Sequence, residues 1–327
     1  MSVKKAKPLV DKQEISIAML GMVDGNGHPY SWSAIFNGYD AVEMQKCPFP
    51  VIPEYLNNQP KETLQIKHAR VTHIWTDDLA DAKQVARAAY IPHIVEQPED
   101  VIGQVDAVII ATDIGAEHVQ RGRPFVEAGI PIFVDKPLAD NEEDLRTFCR
   151  WVDDGASIMS GSSLRYCKEF MPFRASTHNL GAIRFASITT PKSWERYGIH
   201  ALEAIYPIIG PGFLSVCNTG TSERNIVHCK HTSGADIIAV AIDDMYGGFG
   251  MLQLAGTKGR AFACANDSFY GFKTQLLDFI HYLRTGIRPY PFAETVELMK
   301  ILIAGIRSRE ENGREVMLEE IDAGIRT

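Results

Sequence analysis

Two short apolar runs, one helix-length apart, constrain the fold of this chain more than any other feature. The run at 106–112 (Asp-Ala-Val-Ile-Ile-Ala-Thr) and the run at 131–135 flank a segment with helical spacing at 117–128. Alternation of this kind is typical of a parallel βαβ unit. The second run leads into Asp135-Lys136-Pro137, so we expect Lys136 at the carboxyl end of a strand, where such sheets bind ligands. A surface lysine at a strand end is the alternative interpretation.

Further runs extend this alternation through the first half of the chain. The pattern predicts strands at 15–21, 70–76 and 156–161 and helices at 31–38, 80–89 and 141–153. The segment 41–66 interrupts the order, because three prolines within 47–53 are incompatible with regular helix. We interpret 41–66 as an insertion over the first strand–helix unit. The first half is therefore predicted to be α/β, with an open, doubly wound parallel sheet.

After about residue 163 the pattern changes to short strands with hairpin-like connections. The predicted strands lie at 182–190, 225–231, 235–242, 248–255 and 259–264, and Gly247-Gly248 is predicted to join two of them. Helices are predicted at 196–208, 273–285 and 292–312. This pattern indicates an α+β domain with a mostly antiparallel open sheet and helices on one face. We therefore divide the chain into domains at 1–163 and 164–327.

Composition and charge exclude several classes of function. The 327 residues fit two domains, and a formal net charge of −8 argues against a nucleic-acid or anionic-membrane partner. The longest apolar stretches, such as 235–241 and 301–306, are too short to span a bilayer. The basic start of the chain precedes no apolar segment, so we expect no secretory signal. Six cysteines without a Cys-x-x-Cys pair favour a reduced, cytoplasmic location.

A glycine-containing loop separates the first predicted strand from the first predicted helix. In that setting a dinucleotide pyrophosphate binds to backbone N–H groups at a helix start. The candidate residues are Gly21, Gly25, Asn26, Gly27 and His28. The loop departs from the Gly-x-Gly-x-x-Gly pattern. Counted from Gly21, the loop lacks two of the three glycines, and counted from Gly25, it lacks one. A tight glycine turn that binds no nucleotide is the alternative.

Two adjacent carboxylates, Asp77 and Asp78, end the second predicted strand. A carboxylate at this position accepts hydrogen bonds from the adenosine ribose and repels a 2′-phosphate. This predicts NAD as the cofactor, with NADP as the alternative. Either aspartate could instead cap the helix that follows.

A histidine in the second half, His200, is the candidate proton carrier. Arg196 at i−4 and Glu203 at i+3 can share its helix face, although a lone helical histidine is more often a packing residue. The cluster His228-Cys229-Lys230-His231 predicts no metal site, because neighbouring strand residues face opposite sides.

Taken together, these pieces resemble the glucose–fructose oxidoreductase/inositol dehydrogenase/MocA (Gfo/Idh/MocA) family of nicotinamide-dependent sugar oxidoreductases. The matching segments lie in the family's order at 105–112, 118, 134–139, 165–166, 198–200, 254–259 and 278–286. The resemblance implies a Rossmann domain followed by an α/β domain. The open sheet of that second domain usually forms a homodimer or homotetramer.

The resemblance also implies roles for single residues. Lys136 is implied to stabilise charge at the reacting hydroxyl or carbonyl, and His200 to be the general acid/base. The family's aspartate four residues before this histidine is Arg196 here, which could lower the pKa of His200 or bind a substrate carboxylate. The implied substrate-binding residues are Arg165, Tyr166, Arg196 and Tyr197. The implied cofactor-binding residues are Thr112, His118, Asp135 and Lys136.

The predicted function is NAD(P)-dependent transfer of a hydride to or from a secondary alcohol of a sugar, polyol or sugar acid. The runner-up is a non-redox ligand-binding or regulatory protein on the same fold with weakened cofactor use. A lyase or hydrolase that uses bound NAD transiently is a third interpretation. A titration with NAD discriminates between the first two.

Overall fold

The computed structural model describes residues 6–324, and its first half contains a six-stranded, fully parallel sheet. The strand order is β3-β2-β1-β4-β5-β6. This is the Rossmann order, which places ligands at the carboxyl ends of β1 and β4. The strands are β1 (Ile15–Leu20), β2 (Ala69–Trp75), β3 (His93–Ile94), β4 (Ala107–Ile110), β5 (Ile132–Val134) and β6 (Ile158–Ser160).

Six helices accompany this sheet: α1 (His28–Asn37), α2 (Ala41–Met44), α3 (Val51–Asn57), α4 (Leu79–Ala88), α5 (His118–Glu127) and α6 (Glu142–Asp153). The prediction placed the start of α1 at residue 31, three residues too late. Pro29 lies in the first turn of α1, where the missing N–H of proline costs no intrahelical hydrogen bond.

The insertion at 41–66 contains more helix than the sequence predicts. Pro53 occupies the first turn of α3, so the expectation that 47–53 excludes regular helix was wrong from residue 51 onward. Phe49 and Ile52 pack so closely on Gly27 that a Cβ there would lie 2.5 Å or less from each side chain. The insertion therefore covers the start of α1, and Gly27 is a packing requirement.

The second half forms a mixed sheet of seven strands in the order β12-β11-β7-β10-β9-β8-β13. The strands are β7 (Ile183–Pro191), β8 (Phe213–Asn218), β9 (Arg224–His231), β10 (Asp236–Ile242), β11 (Met251–Gly256), β12 (Arg260–Cys264) and β13 (Val316–Met317). The helices of this half are α7 (Met171–Ala175), α8 (Ile199–Ile209), α9 (Ser268–Thr285) and α10 (Phe292–Glu310).

The predicted hairpin at Gly247-Gly248 is wrong, because β7 lies between β10 and β11 in the sheet. The pairing of β7 with β10 is parallel, whereas the other pairings in this sheet are antiparallel. The sequence also missed β8 and β13, since neither shows clean alternation of apolar and polar residues.

The second half contributes a helix to the core of the first. The α9 residues Phe269, Leu276 and Phe279 are buried in one cluster with Trp32 of α1 and Phe133 of β5. Because α9 closes one face of the first sheet, the two halves fold against each other around shared apolar cores. Among residues 6–324, no helix combines the length and apolar character needed to cross a bilayer.

Leu276→Ala tests this shared core. Leu276 is fully buried, so we expect truncation to lower the free energy of unfolding by about 2–5 kcal/mol. Leu277, 43% exposed, is the neighbouring control, and Leu277→Ala should have little effect. Denaturant unfolding of both variants measures the difference. Equal, small losses would contradict the packing of α9 on the first sheet.

Candidate active site

A cavity of about 350 Å³ lies at the carboxyl end of the first sheet, where loops of both halves meet. Asn26 and His28 from the glycine loop line it, together with Asp113, which follows β4. Tyr197 and His200 line it from the second half. The wall nearest the insertion is mainly apolar and includes Phe49, Val51, Ile52, Tyr55 and Phe272.

Lys136 is buried beneath the wall of this cavity, and 2% of its surface is exposed. Its Nζ lies 3.3 Å from Oδ2 of Asp113 and 4.6 Å from the ring centre of Tyr197. Burial alone would lower the pKa of Lys136, but the carboxylates of Asp113 and Asp135 outweigh it and raise that pKa. Lys136 is therefore a protonated ammonium group, and it is paired with Asp113, which lines the cavity.

Asp113, which the sequence analysis overlooked, joins the two predicted cations. Its Oδ1 accepts a hydrogen bond of 2.6 Å from Nη2 of Arg196, and its Oδ2 faces Lys136. Burial works to raise the pKa of Asp113, but Lys136 and Arg196 hold it well below the usual range. The signal that could have identified it is its position three residues after β4, where the strand order reverses.

His200 is held by a hydroxyl group. Nδ1 of His200 lies 2.6 Å from Oγ of Ser162, and the rings of Tyr197 and Phe249 pack edge-on against the imidazole. Burial lowers the pKa of His200 well below its ordinary value, and the charges of Lys136 and Lys192 add to this. The imidazole is therefore neutral at pH 7 and able to accept a proton.

The lowered pKa of His200 agrees in direction with the expectation from the sequence, but the predicted cause was wrong. Arg196 is absent from the causes of that shift, because its guanidinium is paired with Asp113. Nη2 of Arg196 also donates to the carbonyl oxygen of Asp24. Binding of a substrate carboxylate by Arg196 would therefore have to compete with Asp113.

Arg165 and Tyr166, predicted to bind substrate, do not line the cavity. Arg165 donates to Glu203 and, over 2.8 Å, to Glu294, and its guanidinium stacks 4.0 Å from the ring centre of Tyr290. These buried contacts join the turn at 163–166 to α8 and α10. Glu203 therefore pairs with Arg165, away from the predicted neighbourhood of His200.

The glycine loop has the features of an anion site. Gly21 and Gly25 adopt φ angles of +85° and +75°, which favour glycine. No group within residues 6–324 accepts a hydrogen bond from the N–H groups at 23–25, and α1 begins just beyond them. Nζ of Lys192 lies 3.0 Å from the carbonyl oxygen of Gly25. Free N–H groups at a helix start suit a pyrophosphate.

The two aspartates after β2 have different surroundings. Oδ1 of Asp78 accepts from the N–H of Ala80 over 2.8 Å and caps α4. Asp77 faces a second cavity of about 360 Å³, which Trp75 and Arg121 also line. Arg121 pairs with Asp77 over 2.9 Å. This groove has the position and size that an adenosine requires, so the residues present fit a dinucleotide at both the loop and the groove.

The remaining predicted cofactor residues occupy positions around the loop. His118 bridges the carbonyl oxygens of Thr112 and Pro137, at 2.8 and 2.9 Å, and does not line either cavity. The methyl group of Thr112 packs on Gly21. Asp135 accepts hydrogen bonds from Asn26 and His28. Within residues 6–324 no cluster of three or more His, Cys, Asp or Glu side chains could hold a metal ion.

Comparison with solved structures shows the same fold. The chain is similar to a scyllo-inositol dehydrogenase from Lactobacillus casei, with a TM-score of 0.74, 14% identity, and coverage of 95% of this chain and 100% of that chain. A myo-inositol dehydrogenase from Corynebacterium glutamicum has a TM-score of 0.70 and 19% identity, with coverage of 93% of this chain and 99% of that chain. GenD2 from gentamicin A biosynthesis, solved in complex with NAD, has a TM-score of 0.71 and 14% identity, with coverage of 96% of this chain and 99% of that chain.

Sequence comparison adds the family. No curated protein sequence matches the chain. A family model described as the Gfo/Idh/MocA oxidoreductase family, NAD-binding Rossmann fold, matches residues 51–159. The match begins after the glycine loop, where the sequence departs from the family's pattern. The match covers one third of the chain, and this part, whose sheet has the Rossmann order, belongs to the NAD-binding Rossmann domain of the Gfo/Idh/MocA oxidoreductase family.

Proposed function

We propose that this chain is an NAD-dependent dehydrogenase or reductase that acts on a secondary alcohol of a sugar, polyol or sugar acid. One observation carries the proposal. A neutral, oriented imidazole, His200, lines a cavity whose wall covers the ammonium group of Lys136. A base and a fixed positive charge are the two groups that oxidation of an alcohol requires of the protein.

The residues divide the work as follows. The N–H groups at 23–25 and the start of α1 would hold the pyrophosphate, and Asp77 would bind the adenosine ribose. Bound NAD supplies the hydride acceptor. His200 accepts the hydroxyl proton at Nε2 in the tautomer whose Nδ1–H donates to Oγ of Ser162, which leaves the lone pair of Nε2 available. Lys136 stabilises the developing negative charge on oxygen, and Asp113 keeps Lys136 charged and in place. Proton transfer to a positioned base is worth about 10²–10⁴-fold.

The proposed substrate class is supported by the similar structures. Two of the similar structures are inositol dehydrogenases, which makes cyclic polyols the first compounds to test. A titration with NAD, followed by absorbance of reduced nicotinamide with inositols, aldoses and sugar acids, tests the function. Failure to bind NAD would favour the non-redox binding protein. NAD that stays bound without net reduction while a substrate is cleaved would favour the lyase or hydrolase.

We also propose that the chain forms a homo-oligomer through its second sheet and that it is located in the cytoplasm. The face of the second sheet opposite α8 and α10 exposes Ile226, Met251 and Phe262, at 48%, 49% and 66%. Exposed apolar side chains on one sheet face support a homodimer or homotetramer through this sheet. All six cysteines are free thiols, which supports a cytoplasmic location.

Lys136→Met tests the role of the buried ammonium. The substitution keeps the length and apolar stem of the side chain and removes its charge. We expect kcat to fall by about 10²–10³-fold or more, with NAD affinity unchanged within a few-fold. Calorimetric NAD titration and a turnover assay measure the two effects. Lys46→Met, at a lysine whose side chain is 54% exposed, is the control. Full activity of Lys136→Met would remove Lys136 from the mechanism.

Asp77→Asn tests the choice of cofactor. We expect the wild type to bind NAD at least about tenfold more tightly than NADP, because Asp77 would repel a 2′-phosphate. Asp77→Asn should reduce this ratio, whereas Asp78→Asn should weaken the cap of α4 and leave the ratio unchanged. Dissociation constants of NAD and NADP, measured for the wild type and both variants, test this expectation. A wild type that prefers NADP would contradict the role of Asp77, with Arg121 then the candidate phosphate ligand.

Asp113→Asn tests the coupling of Asp113 to Lys136. Because Asp113 raises the pKa of Lys136 against the effect of burial, its loss should lower that pKa. If turnover requires protonated Lys136, the alkaline limb of kcat/KM should move to lower pH. Asp106→Asn is the control, since Asp106 is a paired, partly buried carboxylate at the opposite end of β4. An alkaline limb that does not move would show that Asp113 does not maintain the charge.

A further inference from the structure

A second histidine, His28, lines the cavity together with His200, and the mechanism above does not use it. It is the first residue of α1, and its side chain is 15% exposed. It belongs to the Asn-Gly-His-Pro-Tyr segment in which the loop departs from the dinucleotide pattern. This segment thus places an imidazole at the start of α1, beside the cavity.

A buried carboxylate orients the ring of His28. Nδ1 lies 2.6 Å from Oδ2 of Asp135, which is 1% exposed. Asp135 also accepts hydrogen bonds from Nδ2 of Asn26 at 3.1 Å and from the N–H of Lys136 at 2.7 Å. An ionised carboxylate only accepts hydrogen bonds, so the proton of this pair is on Nδ1. Nε2 has no hydrogen-bond partner in residues 6–324 and is free to bind a ligand.

Packing fixes the ring in this pose. The imidazole stacks on Trp32, with 4.3 Å between ring centres and an angle of 17° between planes. Phe272 of α9 meets its other side edge-on at 5.1 Å. The N–H of His28 donates to Oδ1 of Asn26 over 2.9 Å, so the residue that anchors Asp135 also anchors the backbone. A histidine that only filled space would not need a carboxylate, an amide and two rings to orient it.

The two histidines have different partners within one cavity. His200 contacts a neutral hydroxyl, whereas His28 contacts a carboxylate. The charged groups around the two rings are Asp135 beside His28, Lys136 and Lys192 near His200, and Asp113 and Asp267 on the cavity wall. Pairs of titratable groups in contrasting surroundings are typical of sites that move two protons. Oxidation of one alcohol requires only one base for its hydroxyl proton, which leaves the second imidazole without a role in that step.

We propose that His28, oriented by Asp135, is a second catalytic acid–base residue that exchanges a proton with the substrate carbon beside the oxidised one. This inference rests on the proposed function, because oxidation to the carbonyl is what acidifies that C–H bond. Nε2 of His28 takes the proton, the C–H electron pair forms the new carbon–carbon double bond, and the π pair of the carbonyl moves to its oxygen to give an enolate. The ammonium of Lys136 stabilises the enolate charge, and return of the proton restores the ketone. The protons of the other hydroxyl groups exchange with water without a catalyst. A C–H proton does not, so a positioned base is needed only at a carbon atom.

The first test needs no substrate. Nitrogen-15 NMR of the resting protein reports which ring nitrogen of each histidine carries the proton. We expect His28 to hold its proton on Nδ1 with Nε2 unprotonated, and Asp135→Asn to abolish this preference. A proton found on Nε2 of neutral His28 would overturn the proposal, whether or not dehydrogenase activity is found.

The second test uses the polyol that reduces NAD in the activity assay. In D₂O with NAD, we expect deuterium to enter the wild-type product at the carbon beside the carbonyl. His28→Asn keeps an amide that can bond Asp135, and His28→Gln keeps a polar atom near the position of Nε2. In both variants the rate of deuterium exchange should fall by about 10²–10⁴-fold more than the rate of hydride transfer. Exogenous imidazole should partly restore exchange in His28→Ala.

The controls separate the alternatives. His228→Asn, at a histidine of the second sheet, should change neither rate. Wild-type turnover without deuterium exchange would overturn the role of His28 and leave the dehydrogenase intact. Full exchange in His28→Gln would make His28 a hydrogen-bonding ligand of the substrate and would also overturn the proposal. Absence of NAD reduction with every polyol would be a failure of the proposed function, which the NMR result does not share.

Discussion

The active cavity depends on one buried carboxylate that compensates two cations. Asp113 lies between Lys136, which follows β5, and Arg196, which precedes α8. Without this carboxylate, only Asp135 would offset the cost of burying the charge of a lysine that is 2% exposed. With it, the ammonium stays charged, and the charge of Lys136 helps to keep His200 neutral. The proposed chemistry needs a charged Lys136 and a neutral His200 together, and Asp113 contributes to both through Lys136.

The same ion cluster joins the two halves of the chain. Arg196 also donates to Asp24, and Lys192 to Gly25, so two cations from the second half contact the glycine loop of the first. These contacts bring the glycine loop close to the segment that carries His200. Under the proposed function, the same contacts would couple binding of the cofactor to placement of the base. Apolar packing of α9 on the first sheet supports this arrangement from behind.

The divergent glycine loop has a physical explanation in this arrangement. Gly27 is required because Phe49 and Ile52 of the insertion occupy the space where its side chain would be. Asn26 and His28 then turn toward Asp135, which accepts hydrogen bonds from both. Within the part of the chain that the structure describes, the N–H groups at 23–25 have no hydrogen-bond acceptor, and the same loop places an imidazole in the cavity. Its departure from the usual pattern is thus compatible with an anion site and adds a polar group beside it.

The sequence by itself determined what depends on local pattern. Alternating apolar runs and helices predict the parallel sheet, because each element must bury one face. The position of Lys136 at a strand end follows from the same pattern.

Tertiary structure decided the roles of residues whose partners lie far away in the sequence. Asp77 and Asp78 are adjacent in sequence, yet one faces a groove and the other caps a helix. Arg165 looks like a substrate ligand until Glu203 and Glu294 are seen to pair with it. Asp113 and the His28–Asp135 pair join residues 23 to 107 positions apart, and no local periodicity records such contacts.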